Sequence, residues 1–301
     1  MGSAKEWEGG LAVAVKEDTK VHHDYNLLVC GATFAGLGAA LAAQAAGRNV
    51  ILIERSALLG GEFIEAFQCR RAEWLPRTET GRWLHQHMME RGIIGQDGCS
   101  VYMSALHPLL CLLVRQQRLQ VRMLTEIVEI GRGRGQYHVE LHDIRGKSTI
   151  QAEEILDTST MRLTCPGELF TPESKSIHSY LHHPAGIEWE GDSEEQTCLS
   201  FTTRLRPFQA TLQMAVSAED SWSDARQRLH RCWADRPNAW KTWTIAAIAG
   251  RFASHVPAGV HRLATGWNWF PSEAYANPLD ALDHGYEYGA KEWGQHAASN
   301  L

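Results

Sequence analysis

The stretch from Asn26 to Glu54 limits the fold of this chain more than any other. Asn26-Leu-Leu-Val-Cys30 is a short continuous apolar run, the pattern of a strand buried on both faces. Gly31 to Gly36 follows as a turn, Leu37 to Ala46 reads as an alanine-rich helix, and Gly47 closes it. Asn49-Val-Ile-Leu-Ile53 is a second buried strand, ending in Glu54. Strand, glycine turn, helix and strand within roughly 30 residues make one βαβ unit, whose crossover is right-handed. A dinucleotide pyrophosphate requires backbone amides at a helix N-terminus, with little side chain in the way. Gly31-Ala32-Thr33-Phe34-Ala35-Gly36 supplies that arrangement. Gly31 permits the tight turn, and Gly36 lets helix and strand pack closely. Thr33 stands where a three-glycine fingerprint has its middle glycine. Its β-carbon would crowd a phosphate, or its hydroxyl would bond a phosphate oxygen. Glu54 is placed to accept hydrogen bonds from adenosine ribose hydroxyls. The bland alternative is a helix–strand turn that binds nothing, but the order of strand, turn, helix, strand and terminal acid favours dinucleotide binding.

Beyond this unit, helices are predicted over Thr80–Arg91 and Ser104–Gln117, the second with Leu106, Leu109, Leu110, Leu113 and Val114 on one face. Strands are predicted at Leu119–Met123, Glu126–Glu129, Tyr137–Leu141 and Ser148–Gln151, with turns at Gly131–Gly135 and Arg145–Gly146. A separate apolar segment begins at Ile155. Past Cys165 the pattern gives strands at Thr197–Thr203 and Ala210–Val216 and a helical Ala218–Asp235. A strand near Val260–Ala264 and a helix over about Pro278–Trp293 close the chain. The expected layout is an N-terminal tail (1–23) and a discontinuous α/β nucleotide-binding domain (24–160 and 261–301), with 62–118 a largely helical insertion. A β-rich cap (161–260) lies across it.

Glu54-Arg55-Ser-Ala-Leu-Leu-Gly60-Gly61 places a glycine pair six residues past the ribose acid, where the chain can pass close to a long, extended cofactor. Here the sequence resembles the FAD-dependent oxidoreductases with a glutathione-reductase-type, Rossmann-like FAD domain. Thr33 matches the branch whose phosphate loop reads Gly-Gly-Thr-Pro-Ala-Gly, while Ala32 and Phe34 depart from it. The resemblance extends over Leu119–Thr160, which is similar to the family's strand, β-meander and return strand. That segment closes on Leu156-Asp157-Thr158-Ser159, with Ser159 where glycine is usual. It continues at Ala264-Thr-Gly266-Trp267-Asn268 and the following Asn277-Pro278-Leu279. The resemblance implies a three-layer β-β-α or α/β core with a smaller β-rich cap, and FAD as a non-covalent cofactor. Its implied contacts are the loop Gly31–Gly36, Glu54 and Arg55, Gly60, Gly61 and Glu62, Ile127 at the adenine edge, and Thr158 and Ser159. Gly266, Trp267, Asn277, Pro278 and Leu279 would meet the flavin end. Independently of family, Asn277 can N-cap a helix whose first residue is Pro278, directing a positive helix end at whatever lies before it.

The remaining chemistry-bearing residues give weaker signals. His178 and His182 are spaced four apart, and His85 and His87 two apart, but neither pair has a nearby third ligand of the familiar sort. No metal site is expected. Cys69-Arg70-Arg71 falls where the family's chain runs near the flavin, as a redox-active thiol with anion-binding arginines or, more simply, as a buried thiol beside surface arginines. No second cysteine stands at disulfide-reductase spacing, and 161–260 holds no second glycine fingerprint for NAD(P)H. The sequence has 29 basic and 35 acidic side chains, which gives a net charge of −6 and no footprint for a nucleic-acid backbone. The odd count of seven scattered cysteines fits a reducing compartment. With neither a signal peptide nor an apolar run of membrane-spanning length, a cytoplasmic protein is expected. The function expected is an FAD-dependent oxidoreductase taking a hydride from a small organic substrate, with an electron-relay or non-catalytic FAD subunit as the alternative. The expected partners are the small-molecule substrate and a partner subunit or a second copy of the chain, with Trp240 and Trp243 either large core pieces or a face toward that subunit. No residue is forced by spacing into the role of catalytic base.

Overall fold

A computed structural model describes residues 23–68, 73–95, 98, 100–133, 135–165, 170–185, 199–206 and 208–298, with side chains left undescribed at 23, 201–206 and 293–298. The first βαβ unit consists of β1 (His23–Cys30), α1 (Phe34–Ala45) and β2 (Val50–Ile53). A short helix, α2 (Gly61–Ile64), precedes α3 (Glu79–Glu90) and α4 (Leu106–Gln117). The chain returns as β3 (Val121–Arg122), then β4 (Glu126–Gly133), β5 (Gln136–Asp143) and β6 (Gly146–Asp157). The cap contributes β7 (Ser174–His182), β8 (Ser200–Arg206), β9 (Gln209–Val216), α5 (Trp222–Ala234), β10 (Thr244–Ile248) and β11 (Ala253–His255). A hairpin of β12 (His261–Ala264) and β13 (Trp267–Trp269), then α6 (Pro278–Ala298), complete the chain.

The larger sheet has the path β12-β13-β6-β1-β2-β3, in which β13, β6, β1, β2 and β3 run parallel. Alternation along β1 and β2 sends Leu27, Val29, Val50 and Leu52 to a helical layer of α1, α3, α4 and α6. Leu28, Ile51 and Ile53 point the other way, onto the β4–β5 meander through Tyr137, Val139 and Leu141. The result is the three-layer β-β-α form of the fold. In the helical layer, α1 and α6 meet backbone to backbone: a β-carbon on Gly285 would lie 2.1 Å from the Ala35 carbonyl oxygen. No described helix is long and apolar enough to cross a membrane.

The smaller sheet is antiparallel, ordered β10-β7-β9-β8, with β11 also on β7. Its core is Ile177, Leu181, Leu212 and Met214 against Leu229 and Trp233 of α5, with Trp240 and Trp243 buried beside them. These two tryptophans therefore fill a core and do not face a partner.

Several expectations need correction. The strand expected at Ser148–Gln151 and the apolar segment at Ile155 are one twelve-residue strand, β6. The polar pair Glu153-Glu154 hides this continuity in the sequence, but Glu154 serves Arg48 at 3.0 Å. One edge of β6 pairs first with β5 and then, past the meander, with β13. Leu119–Met123 shortens to Val121–Arg122, because only these residues find a partner on β2. The turn at Gly131–Gly135 also contracts, since Gly131–Gly133 still pair with β5. Strands β7, β10 and β11 have no counterpart among the predicted elements. His178 lies in β7, where its ring contacts the Phe67 carbonyl at 3.2 Å and Ser176 at 3.1 Å, while His182 is exposed. Cys69, Arg70, Arg71, Thr197 and Cys198 lie outside the described residues.

Candidate cofactor-binding site

A cleft of about 640 Å³ opens at the carboxyl ends of β1, β2 and β6, the crevice where parallel α/β sheets bind ligands. Gly31 turns the chain out of β1 with φ +95°, a conformation that side-chain-bearing residues rarely adopt. Thr33 then N-caps α1, its hydroxyl accepting from the Gly36 amide at 2.9 Å and donating to Thr158 at 2.7 Å. In this structure the Thr33 hydroxyl caps the helix and ties the loop to the end of β6. Gly36 packs where a β-carbon would stand 2.3 Å from the Gly31 carbonyl oxygen.

Glu54 curls back under the loop, its two oxygens accepting from the Ala32 amide at 3.0 Å and the Ser56 amide at 2.8 Å. Both oxygens retain lone pairs for ribose hydroxyls. We expect Glu54→Ala to weaken FAD binding by roughly 1.5–3 kcal/mol, about ten- to a hundredfold, as read by flavin fluorescence titration. Equal affinities in the two proteins would remove Glu54 from the site. The glycine pair divides its work. Gly60 packs against Phe34, where a β-carbon would stand 2.4 Å from the ring, while Gly61 lines the cleft.

Glu62, at the start of α2, is only 2% exposed. One carboxyl oxygen accepts from the Phe34 amide at 2.8 Å and from the Ser272 hydroxyl at 2.7 Å. The other oxygen is buried with no hydrogen-bond partner. Burial pushes the Glu62 carboxyl up to about 7, against the opposing pull of the Phe34 and Ser272 bonds and the Arg251 charge. A carboxyl raised on folding contributes stability that is complete below the unfolded value near 4.5 and is lost as pH rises toward 7. The FAD-free protein should thus lose up to about 1.4 kcal/mol per pH unit across that window through this group. In urea titrations at pH 5 and pH 7, Glu62→Gln should show a correspondingly smaller loss; an identical loss in both proteins would contradict this.

The far wall comes from two regions, the turn after β6, of which the sequence reading singled out Thr158 and Ser159, and a loop of the cap that it did not single out. The turn after β6 is held by Asp157, which accepts from the amide and hydroxyl of both Ser159 and Thr164 at 2.5–2.9 Å. This turn presents Ser159, Thr160, Met161 and Leu163 to the cleft. Arg251 enters from the cap, on the loop between β10 and β11, and donates to Thr160 at 3.3 Å. That loop is fixed to the larger domain by the Gly250 amide on the Glu65 carbonyl (2.8 Å), and β11, which follows it, by the Ser254 amide on Glu273 (2.6 Å). No local pattern marks Arg251, because strand pairing within the cap decides where its loop goes.

Of the expected contacts, Gly31, Thr33, Glu54, Arg55, Gly61, Glu62, Ile127 and Ser159 line this cleft. Ala32, Phe34, Ala35, Gly36, Gly60 and Thr158 form its buried backing. The structure does not bring the remaining five to the cleft. Gly266 lies in the β12–β13 hairpin, its carbonyl accepting from Ile155, and borders a separate hollow of about 310 Å³. Trp267 donates to Thr164 and packs edge-on against Tyr137. Asn277 does cap α6, accepting from the Asp280 amide at 2.9 Å, but Asn277, Pro278 and Leu279 are buried and line no part of the cleft. The reason is register: β13 pairs with β6 from Ile155 to Asp157, which holds Gly266 back from the carboxyl edge and sends Trp269 forward.

The parallel sheet, the left-handed Gly31, the close Gly36 contact and the acid after β2 define a Rossmann-type dinucleotide-binding protein. Residues 26–161 match the family of FAD dependent oxidoreductases, and this FAD-binding match identifies FAD as the cofactor of the site. No curated protein matches the chain. Among solved structures, p-nitrophenol 4-monooxygenase from Pseudomonas putida is similar at 13% identity and TM-score 0.60, covering 93% of this chain and 81% of its own. A geranylgeranyl bacteriochlorophyll reductase-like protein from Thermoplasma acidophilum is similar at 12% identity and TM-score 0.62, covering 93% and 80%. Aklavinone-11 hydroxylase, solved with FAD and aklavinone, is similar at 14% identity and TM-score 0.56, covering 92% of this chain and 62% of its own. At these identities the likeness is one of fold, and it extends across the cap as well as the larger sheet.

Proposed function

We propose that this oxidoreductase removes a hydride from a small organic substrate bound where the cap meets the FAD-binding sheet. The observation that carries the reading is the shared cleft, in which the phosphate loop and Glu54 lie on one side and Arg251 of the cap on the other. When bound, FAD supplies a two-electron acceptor. The chain supplies the rest: Glu54 and the loop hold the adenosine end, and Ile127 borders the adenine. Arg251 presents a fixed positive charge for a phosphate or an acidic substrate group. Met161 and Leu163 give the cleft an apolar stretch that excludes water.

A second reading takes its support from similar structures that are named as a monooxygenase and a hydroxylase. In it, reducing equivalents come from NADH or NADPH, and the organic substrate is hydroxylated. Anaerobic mixing of the FAD-loaded protein with a metabolite panel, and separately with NADH and NADPH, tests both. Bleaching of the flavin absorbance by a metabolite alone supports hydride removal. Stoichiometric bleaching by a pyridine nucleotide, stimulated by an aromatic substrate, replaces it with the second reading. Bleaching by neither, with reduction of the flavin by an added reduced redox protein, would turn the chain into an electron relay.

A further inference from the structure

The first turn of α1 carries the amides that an FAD pyrophosphate would use, and in this structure they are already engaged. The Phe34 amide donates to Glu62 at 2.8 Å. The Ala35 amide donates to the Ser272 hydroxyl at 3.1 Å, and that hydroxyl donates to the same Glu62 oxygen at 2.7 Å. Two first-turn donors therefore converge, directly and through Ser272, on one carboxyl oxygen. The second oxygen of Glu62 is buried and unpartnered, and the residue borders the cleft. A carboxylate in this position mimics the phosphate oxygen that a helix N-terminus attracts.

Resting on the assignment of the FAD pyrophosphate to this cleft, we propose that Glu62 occupies the phosphate seat in the FAD-free protein. FAD loading then takes up one proton, onto Glu62. The charge argument is direct. An ionised Glu62 beside a doubly negative pyrophosphate would place like charges within a few ångströms at a side chain only 2% exposed, an unfavourable pairing unless one is neutralised. Protonation removes the repulsion, frees the Phe34 amide for the phosphate, and leaves the acid a donor toward a phosphate oxygen. The surrounding charges do not relieve the conflict. Glu54, Glu65 and Glu126 line the same cleft, against Arg55 and Arg251. Glu273, on the turn packed against α2, is engaged by Thr160 and the Ser254 amide. Arg251 is the cation whose charge acts on Glu62, and it would have to serve both the carboxylate and the pyrophosphate.

The test is FAD binding to the full-length FAD-free protein between pH 5.5 and 8.5. It is followed by flavin fluorescence and, at pH 8, by calorimetry in HEPES and in Tris. One linked proton makes the affinity fall about tenfold per pH unit above the Glu62 midpoint near 7, and leaves it flat well below. The enthalpies in the two buffers should differ by about the difference between the ionisation heats of Tris and HEPES, as uptake of close to one proton requires. Glu62→Gln, which keeps an acceptor for the Phe34 amide, should lose the slope and bind FAD at least tenfold more tightly at pH 8. A flat wild-type profile, equal enthalpies in the two buffers, or an unchanged slope in Glu62→Gln would overturn the proposal while leaving FAD in the cleft. The wild-type calorimetry needs no variant to fold. Failure of the wild-type protein to take up FAD at any pH would remove the cofactor assignment, and this inference with it.

Discussion

Gly36→Val should leave a protein that neither holds FAD nor reaches wild-type stability. The valine β-carbon would start 2.3 Å from the Gly31 carbonyl oxygen and 2.7 Å from the Thr158 hydroxyl. The first contact is backbone against backbone, so no rotamer relieves it. Overpacking of a tight site costs typically 1–3 kcal/mol, and the rigid carbonyl puts this position at the upper end or beyond. To make room, α1 must lift from β1, which moves Phe34 and Ala35 away from the cleft. Because the conflict begins at the β-carbon, Gly36→Ala should show most of the same loss. Urea denaturation followed by circular dichroism, together with flavin absorbance of the purified variant, reads both effects. A yellow Gly36→Val protein with the wild-type midpoint would refute the packing argument.

Asp157→Ala should be nearly as damaging, through the opposite fault. The carboxylate at the end of β6 is fully buried and accepts four hydrogen bonds, from the amides and hydroxyls of Ser159 and Thr164. The hydroxyls can turn to other acceptors, but the two amides are left unpaired, at about 1–3 kcal/mol each. A loss of roughly 3–5 kcal/mol is expected once the cavity is included. The effect should reach the site, because the turn that Asp157 holds carries Ser159, Thr160, Met161 and Leu163. FAD affinity measured well below the urea midpoint should therefore fall too. Asp157→Asn separates charge from geometry: it keeps one acceptor for Ser159 but turns an amino group toward the Thr164 amide, so it should recover only part of the loss. Wild-type affinity in Asp157→Ala, with the fold intact, would show the turn to be independent of its anchor.

The parts of this protein that were legible in the sequence are those in which cause and effect lie close along the chain. Apolar runs at Asn26–Cys30 and Asn49–Ile53 can only be strands buried on both faces. The glycines at 31 and 36 fix the turn between β1 and α1, and Glu54 follows from the end of β2. Helical spacing of leucines likewise marks the buried face of α4. These features point to a Rossmann-type dinucleotide-binding domain.

Pairings between distant segments were decided only in the tertiary structure. Strand β7 reads Ser-Lys-Ser-Ile-His-Ser-Tyr-Leu-His and offers no clean alternation, yet Ser176 through Ser179 are all buried because the cap sheet is covered on both sides. Trp267 looked like a flavin contact until the register of β13 against β6 held it back from the cleft. Arg251 reaches the cleft only through the pairing of β10 and β11 with β7. Glu62 and Ser272, 210 positions apart, meet on one carboxyl oxygen at the end of α1. Local sequence fixes the dihedral angles and the hydrophobic period of a segment, and these were sufficient for the first βαβ unit. Which buried polar group meets which depends on how whole sheets and helices pack, and no short stretch of sequence carries that information.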